Sequence, residues 1–591
     1  MKRTKMLLSL ALILVIAAGT AFASGQAGAA TGSAGAVDAY NLPRNQTLYY
    51  NGQQWGAPRG VNPYGFNSNN ALASGGHRQL VFETLFVYDQ MTNTLKPQIA
   101  DSFSWSGQTL TVQLNRNVKF TSGAALTAAD VVYSFNLAKT YTIGASGYWE
   151  YLQSVTAQGD YTVVFQAKTG ADFNRLNVEQ AISEFSITSR AYWEAKLASG
   201  DITTANNSLG AFAGWDASAA GTGPYRWYYG DDTKVVLIRN ENYWGQHSSR
   251  YGKLPAPRYI AQNQYKDNAS GDEALRRGEV DMSQQFTASI WTYFSAGVET
   301  YIPVAPYYIP GMIPSIIFNT QKPGLNDKAV RKALAMVIDY DQIGTTAMSG
   351  YTATKQASFM LPTESEQALI NLPDLARYQW SAMDVAGANA LLDQAGWVRG
   401  ADGIRAKGGV RLSFRLECPY GWSDWNASLE IVAQAGRQIG MDLTTYFPEQ
   451  PVWTDDMQSG NFDILMNNLG GMGISQPWSR ARTAMGSTYL PPVGTPNSIG
   501  NWGRWVNARA DQILALIPNE TNAATLKALW TELNQIYLDE MPSIGLMYRP
   551  AFFYNASNVV WTNFPKLGSG IPPTILSDGY GIMGLYNIRL K

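Results

Sequence analysis

The sequence predicts a mixed α/β or α+β protein, and three observations carry that prediction. Short segments of alternating apolar and polar residues recur along the chain. Amphipathic helical stripes stand between them. From Asn41 onward no repeat period, low-complexity tract or long linker interrupts the mixture.

Leu110 to Leu114 alternates apolar and polar residues, the pattern of a strand with one buried face. Thr127 followed by Asp130 is a T-x-x-D capping box, which predicts a helix running to about Lys139. Tyr161 to Ala167 reads as a second strand. Val330, Ala333, Leu334, Val337 and Ile338 follow the i, i+3, i+4, i+7, i+8 spacing of one apolar helix face. Asp384 can cap a helix carrying Val385, Ala388, Leu391, Leu392 and Ala395, with Gly396 as its stop. Leu412, Phe414 and Leu416 form a further alternating strand. Leu526, Leu529, Trp530, Leu533 and Tyr537 make a long stripe near the C-terminus. Each stripe reads as core.

Length and composition narrow the function classes. The chain has 591 residues, enough for roughly three to four domain-sized units. Its 44 Lys and Arg balance 45 Asp and Glu, a net charge of −1, so nothing electrostatic points to nucleic acid. Charged residues make up only 15%, against about 25% in an average domain. Aromatics reach 12%, with 18 Trp and 33 Tyr, so aromatic surface is favoured over charge. The one cysteine, Cys418, excludes an intrachain disulfide framework. His77, His247 and that thiol leave almost no material for a zinc or copper site, and neither metal nor cofactor is expected.

Residues 1–23 read as a secretory signal peptide. Lys2, Arg3 and Lys5 supply the positive start, Met6 to Ala18 the apolar run, and Ala21 to Ala23 the A-x-A cleavage pattern. The run is too short for a ~20-residue span. Residues 24–37 are a Gly/Ala/Ser-rich flexible lead-in. No cysteine lies near the cleavage point to carry a lipid. The mature protein is therefore expected to be soluble, and periplasmic or extracellular.

A series of motifs carries a family resemblance. Leu114–Phe120 (LNRNVKF), Ser122 with Gly123, and Leu126–Val132 (LTAADVV) resemble the signature region of family 5 extracellular solute-binding proteins. These are the dipeptide- and oligopeptide-type receptors of bacterial ABC importers. Val81–Leu85 (VFETL) precedes the signature. Gly221–Tyr225 (GTGPY), Asn240–Trp244 (NENYW) and Arg277–Asp281 (RGEVD) follow it. Phe318–Thr320 (FNT), Val330–Leu334 (VRKAL) with Ile338 and Asp339, and Leu391–Trp397 (LLDQAGW) complete the register. The resemblance implies the large, oligopeptide-binding type of periplasmic-binding-protein fold, an α/β fold of two lobes, a hinge and an extra inserted domain. It implies a discontinuous first lobe at 38–85, 221–310 and 541–591, an inserted domain at 86–220, and a second lobe at 311–540. It also implies permease partners in the membrane, a small-molecule ligand in the inter-lobe cleft and a monomeric receptor.

Two segments bear on the ligand. Peptide-binding members of the family commonly place an acid in a short second-lobe segment that pairs with the peptide amino terminus. The corresponding stretch, Asn467–Trp478 (NNLGGMGISQPW), contains no acid. A buried ammonium without a counter-charge costs several kcal/mol, so an uncharged, hydroxyl-rich ligand fits better. The second segment is Gly421–Trp425 (GWSDW), between a predicted strand and a helix running to about Gly440. It resembles the loop of the cellobiose- and oligosaccharide-binding subgroup. Indole faces can cover the C–H faces of pyranose rings, and Asp424 can accept from adjacent hydroxyls.

The expected ligand-binding residues are accordingly Trp422, Asp424, Trp425, Asn467 and Asn468. The second cluster, Asn501–Trp505, adds Trp502 and Trp505. Asn67 and Asn69 lie at the expected edge of the first lobe, and Arg549 where the chain returns to it. Trp244 and Trp397 fit packing positions instead. The reading that follows is a receptor for neutral oligosaccharides of β-gluco- or manno-type. A peptide receptor of the same fold is the alternative, and an exported glycoside hydrolase a third. Hydrolysis of that kind needs two carboxylates about 5–10 Å apart. The chain has no G-x-S-x-G elbow, no H-E-x-x-H and no P-loop, and Cys418 is followed by Pro419 rather than placed in a Cys–His pair. No enzymatic activity is expected.

Overall fold

A computed structural model describes residues 41–591, apart from 53–61, 65–78, 142–143, 200–215, 353–357, 377–382, 471–472, 489, 493, 498–499, 552, 575 and 577–578. Residues 1–40, which include the expected signal peptide and lead-in, and with them Asn67, Asn69 and His77, lie outside the described residues.

Three sheets organise the chain. The largest has seven strands in the order Val298–Thr300, Asn555–Ser557, Met282–Ser283, Thr47–Asn51, Tyr259–Asn263, Lys234–Arg239 and Tyr225–Asp231. Thr47–Asn51 runs parallel to both of its neighbours, and the remaining pairs are antiparallel. A five-stranded sheet orders Asp442–Tyr446, Ser413–Glu417, Ile464–Asn468, Pro314–Phe318 and Ser543–Gly545. Its first three strands are mutually parallel, as their connecting helices require. A four-stranded antiparallel sheet, spanning residues 100–167, is inserted between the first two strands of the large sheet in chain order.

The strands and helices fall close to where the residue pattern places them. The strand Thr109–Leu114 buries Leu110, Val112 and Leu114 on one face. The helix Ala128–Tyr141 opens with the Asp130 carboxylate accepting from both the amide and the hydroxyl of Thr127. Asp327 caps Lys328–Val337, and Asp384 caps Val385–Gln394 by accepting from Gly387 N at 2.7 Å. Asn522 caps the long helix Ala523–Glu540.

The family motifs turn out to be fasteners. Glu83 is fully buried, accepting from Tyr243 Oη at 2.5 Å, from Trp244 Nε1 at 2.8 Å and from Gln98 Nε2. Gly221 and Gly223 lie against the carbonyls of Val81 and Leu80, which an added Cβ would meet at 2.1 and 2.3 Å. Asp281 pairs with Arg44, and Arg331 donates to three carbonyls, those of Leu325, Glu540 and Met541.

Two segments connect the large sheet to the five-stranded one, residues 301–313 and 546–554. They are joined by backbone hydrogen bonds, with Gly311 N and Met312 N donating to Arg549 O and Arg549 N donating to Met312 O, all at 2.9–3.0 Å. Elsewhere the inserted region touches the five-stranded lobe directly. Glu150 pairs with Arg482 at 2.9 Å, Ser475 N donates to Gln180 Oε1 at 3.1 Å, and Asn519 Nδ2 donates to Phe173 O at 2.6 Å.

Candidate ligand-binding cleft

The tryptophan loop grows out of the strand Ser413–Glu417. Gly421 takes the left-handed backbone (φ +80°) that lets the chain turn. The helix Ser423–Gln438 then begins inside the motif, one residue after Trp422. Trp425 therefore sits in the first helical turn and points into the core, 2% exposed. Trp422 stays half-buried at the helix entrance, with its ring 4.8 Å from Trp425 and 5.8 Å from Trp453. One indole faces outward and two back it.

This loop forms one wall of a cavity of about 590 Å³, within the ~300–1,000 Å³ range of small-molecule sites. From the five-stranded lobe it is lined by Tyr420, Trp422, Asp424, Trp425, Glu449, Gln450 and Asn468. From the seven-stranded lobe come Gly52, Asp232, Gln264, Tyr265, Lys266, Asp267, Asn268, Gln284, Gln285 and Phe286. Met312, Arg549 and Ala551 contribute from the two connecting segments. Gly52 (φ +103°) is needed here, since a Cβ would meet the Gln284 carbonyl carbon at 2.9 Å. Across the cavity edge Asn268 Nδ2 donates to Ser423 Oγ at 3.1 Å.

Asp424 is 2% exposed and accepts from Arg549 Nε at 2.6 Å. The Arg549 guanidinium also lies over the Phe553 ring at 4.5 Å. Behind the cavity Asp272 accepts from Gln285 Nε2 and Thr287 Oγ1, and burial pushes its carboxyl up to about 7. Asp267 caps the helix Asn268–Arg276, and the Ser270 amide holds its carboxyl below the usual range.

The expected site residues divide. Trp422, Asp424, Trp425, Asn468 and Arg549 line one cavity. Asn467 does not; its Nδ2 donates to Met457 Sδ and its Oδ1 accepts from Asn468 N. Trp502 and Trp505 lie elsewhere, around Asn501, whose side chain bonds Gly486 O, Trp505 O and Trp505 N. Trp502 donates to Asn497 O, and Trp505 is 6% exposed. That cluster pads the Phe318–Thr320 motif, since Thr320 N donates to Gly503 O at 2.9 Å. Sequence reasoning missed Tyr420, 54% exposed at the wall, which extending the loop motif by one residue would have found. It also missed Gln284 and Glu449, which no motif marks.

Among the described residues no group of three or more His, Cys, Asp or Glu is placed to hold a metal ion. Cys418 is buried, its thiol pushed up by that burial. No described helix is long and apolar enough to cross a membrane.

Residues 94–488 match the model for "Bacterial extracellular solute-binding proteins, family 5 Middle". A probable peptide-binding protein of Agrobacterium fabrum is 21% identical over 551 residues, covering 86% of this chain and 87% of the relative. A periplasmic oligopeptide-binding protein of Thermotoga maritima, crystallised with mannohexaose, superposes with a TM-score of 0.83 at 26% identity, over 93% of this chain and 99% of its own. The oligopeptide-binding protein AppA of Bacillus subtilis, in complex with a nonapeptide, shares the fold at a TM-score of 0.71 and 20% identity, over 92% and 99%. A two-lobed α/β fold, a cleft between the lobes and a family match over more than half its length establish that the chain belongs to the family 5 bacterial extracellular solute-binding proteins, the receptors of ABC importers.

Proposed function

We propose that this receptor captures neutral oligosaccharides of β-gluco- or manno-type. The observation that carries the reading is the Trp422 indole at the cleft wall, backed by Trp425 and Trp453 and flanked by Asp424 and Asn468. An indole face covers the apolar side of a sugar ring, while carboxylate and amide groups take its hydroxyls. The mannohexaose bound by the Thermotoga neighbour supports the same class.

On this reading the protein is exported by cleavage after residue 23 and works as a monomer. Its lobes follow the division into 38–85, 221–310 and 541–591, the insertion 86–220, and 311–540. The lobes close by bending at the Met312–Arg549 crossing and present the ligand to a membrane permease. Closure draws only on the ligand's higher affinity for the closed form.

A second reading, peptide capture, is favoured by Asp232 and Glu449, exposed carboxylates on the cavity wall. They lie outside the acid-free Asn467–Trp478 segment and could pair with an amino terminus. Several relatives, the Bacillus protein among them, are named for peptides.

Thermal unfolding with mannohexaose, cello-oligosaccharides and tetrapeptides separates the two. A ligand that binds only the native state, at 100 times its dissociation constant, adds about 2.7 kcal/mol. Sugars should raise the midpoint and tetrapeptides should not; the reverse pattern overturns the oligosaccharide reading.

A further inference from the structure

Gln284 and Asn468, both on the cleft wall, each carry a buried polar atom without a hydrogen-bond partner. Gln284, just past the strand Met282–Ser283 of the seven-stranded sheet, is 4% exposed. Its Oε1 accepts from Leu576 N at 3.3 Å. Because that partner is a donor, it fixes which end of the amide is oxygen and leaves Nε2 as the free end. Nε2 has no partner. Asn468, the last residue of the strand Ile464–Asn468 in the five-stranded sheet, has its Oδ1 buried and equally unpartnered.

Their sequence neighbours are fully engaged. Gln285 spends both ends of its amide, on Asn51, Asn268 and Asp272. Asn467 spends both of its own on Met457 and Asn468. Both residues line the cleft, and their unpartnered atoms are one donor and one acceptor, contributed by different lobes. Buried amides are almost always satisfied, and an orphan atom costs stability unless something else fills it.

We infer that Gln284 and Asn468 are the specificity-determining amide pair of the cleft, Gln284 donating to a ligand hydroxyl oxygen and Asn468 accepting a ligand hydroxyl hydrogen. This rests on the oligosaccharide reading and deepens it. A sugar hydroxyl is donor and acceptor at once, so a rim of them satisfies both vacancies without bringing charge into the site. Recognition from both lobes also ties affinity to closure, since neither amide alone completes the contact.

The test uses Gln284→Met, which keeps shape and removes the donor, and Asn468→Leu, with Asn468→Asp as the variant that keeps an acceptor. Calorimetry with mannohexaose and a cello-oligosaccharide gives affinity; thermal unfolding of the ligand-free proteins gives stability. Gln284→Met and Asn468→Leu should each weaken binding about tenfold, with Asn468→Asp binding more tightly than Asn468→Leu. The free Asn468→Leu protein should melt no lower than wild type, because that change deletes an orphan group rather than a bond, whereas Gln284→Met also removes the acceptor of Leu576 N and should melt somewhat lower. Sugar bound as tightly by both variants as by wild type overturns the pair and leaves the oligosaccharide reading standing. A free Asn468→Leu protein that melts lower while binding normally assigns that amide to the scaffold and overturns the pair as well. A wild type that binds tetrapeptides but neither sugar overturns the ligand class and the hydroxyl assignment together.

Discussion

Arg549, on the bridge between the two connecting segments, places its Nε 2.6 Å from Oδ2 of Asp424, in the first turn of the helix that starts inside the tryptophan loop. The backbone of the same arginine is bonded to Met312 on the other crossing. The cleft's most buried carboxylate is thus fixed by a side chain whose own main chain belongs to one of the two segments that connect the sheets. Among the described residues Arg549 is the side-chain partner of Asp424.

Breaking this pair should be costly, because Asp424 is 2% and the Arg549 side chain 17% exposed. Removing one partner of a buried pair typically costs about 3–5 kcal/mol. Arg549→Met is expected to lose about that much in urea unfolding, and the double variant Arg549→Met with Asp424→Leu to recover most of it. A single-variant loss under about 1 kcal/mol would place the pair in the weak, solvated class.

The two tryptophans of the loop should separate binding from folding. Trp422→Ala is expected to weaken oligosaccharide binding by about 1–3 kcal/mol through lost apolar contact, with a smaller effect on stability. Trp425→Ala should cost about 3–5 kcal/mol of folding free energy, as truncation of a buried aromatic does. Calorimetry and denaturant titration on both proteins decide it; equal effects of both substitutions on both measurements would refute the division.

Glu83 makes stability depend on pH. Burial pushes its carboxyl up to about 7, against an ordinary value of 4.5, despite the hydrogen bonds from Tyr243 and Trp244 that oppose the shift. The folded protein holds a proton that the unfolded chain has already released. The group's favourable contribution is complete below about 4.5 and is lost as pH rises through 7. Glu83→Gln should therefore gain in melting midpoint relative to wild type between pH 5 and pH 8. A constant difference across that range would show that Glu83 titrates normally. Asp272, raised to about 7 by the same cause, slopes both proteins in the same direction.

Contacts far from the cleft should also tune affinity. The Glu150–Arg482 pair joins the inserted region to the five-stranded lobe at 2.9 Å, with side chains 24% and 22% exposed. Such partly exposed pairs are worth about 0.2–1 kcal/mol. Glu150→Lys replaces attraction by repulsion and should favour the separated lobes, lowering ligand affinity several-fold without touching the site. Small-angle scattering of the ligand-free variant should show a larger radius than wild type. Unchanged affinity and an unchanged profile would remove this contact from the closing equilibrium.

Much of the fold was legible because its motifs fasten backbone to backbone. Gly221 and Gly223 are dictated by the carbonyls they lie against, and Glu83 by the Tyr243 and Trp244 that solvate it. The site was legible only in part. Adjacent residues on a strand point to opposite faces, so of Asn467 and Asn468 just one could reach the cleft, and the run of letters does not say which. The residue pattern marks Gly421–Trp425 as loop throughout, whereas the helix begins at Ser423 and turns Trp425 inward. Asn501–Trp505 has the same aromatic density, but the left-handed Asn501 (φ +46°) ties the cluster to itself. Gln284 carries no local signal, because what distinguishes it is a bond that its surroundings fail to make.

The position of Asn555–Ser557 in the seven-stranded sheet has a consequence for how the molecule comes into being. That strand lies between Val298–Thr300 and Met282–Ser283, and Ser543–Gly545 closes one edge of the other large sheet. A ribosome that has already delivered residue 540 therefore holds neither sheet complete. The pairings of highest sequence separation come last, which delays and slows acquisition of structure. Until residues 541–591 emerge, the nascent polypeptide remains a substrate for whatever handles unfolded chains. A stop codon just ahead of Asn555 would remove an interior strand rather than a tail, leaving Val298–Thr300 with no neighbour.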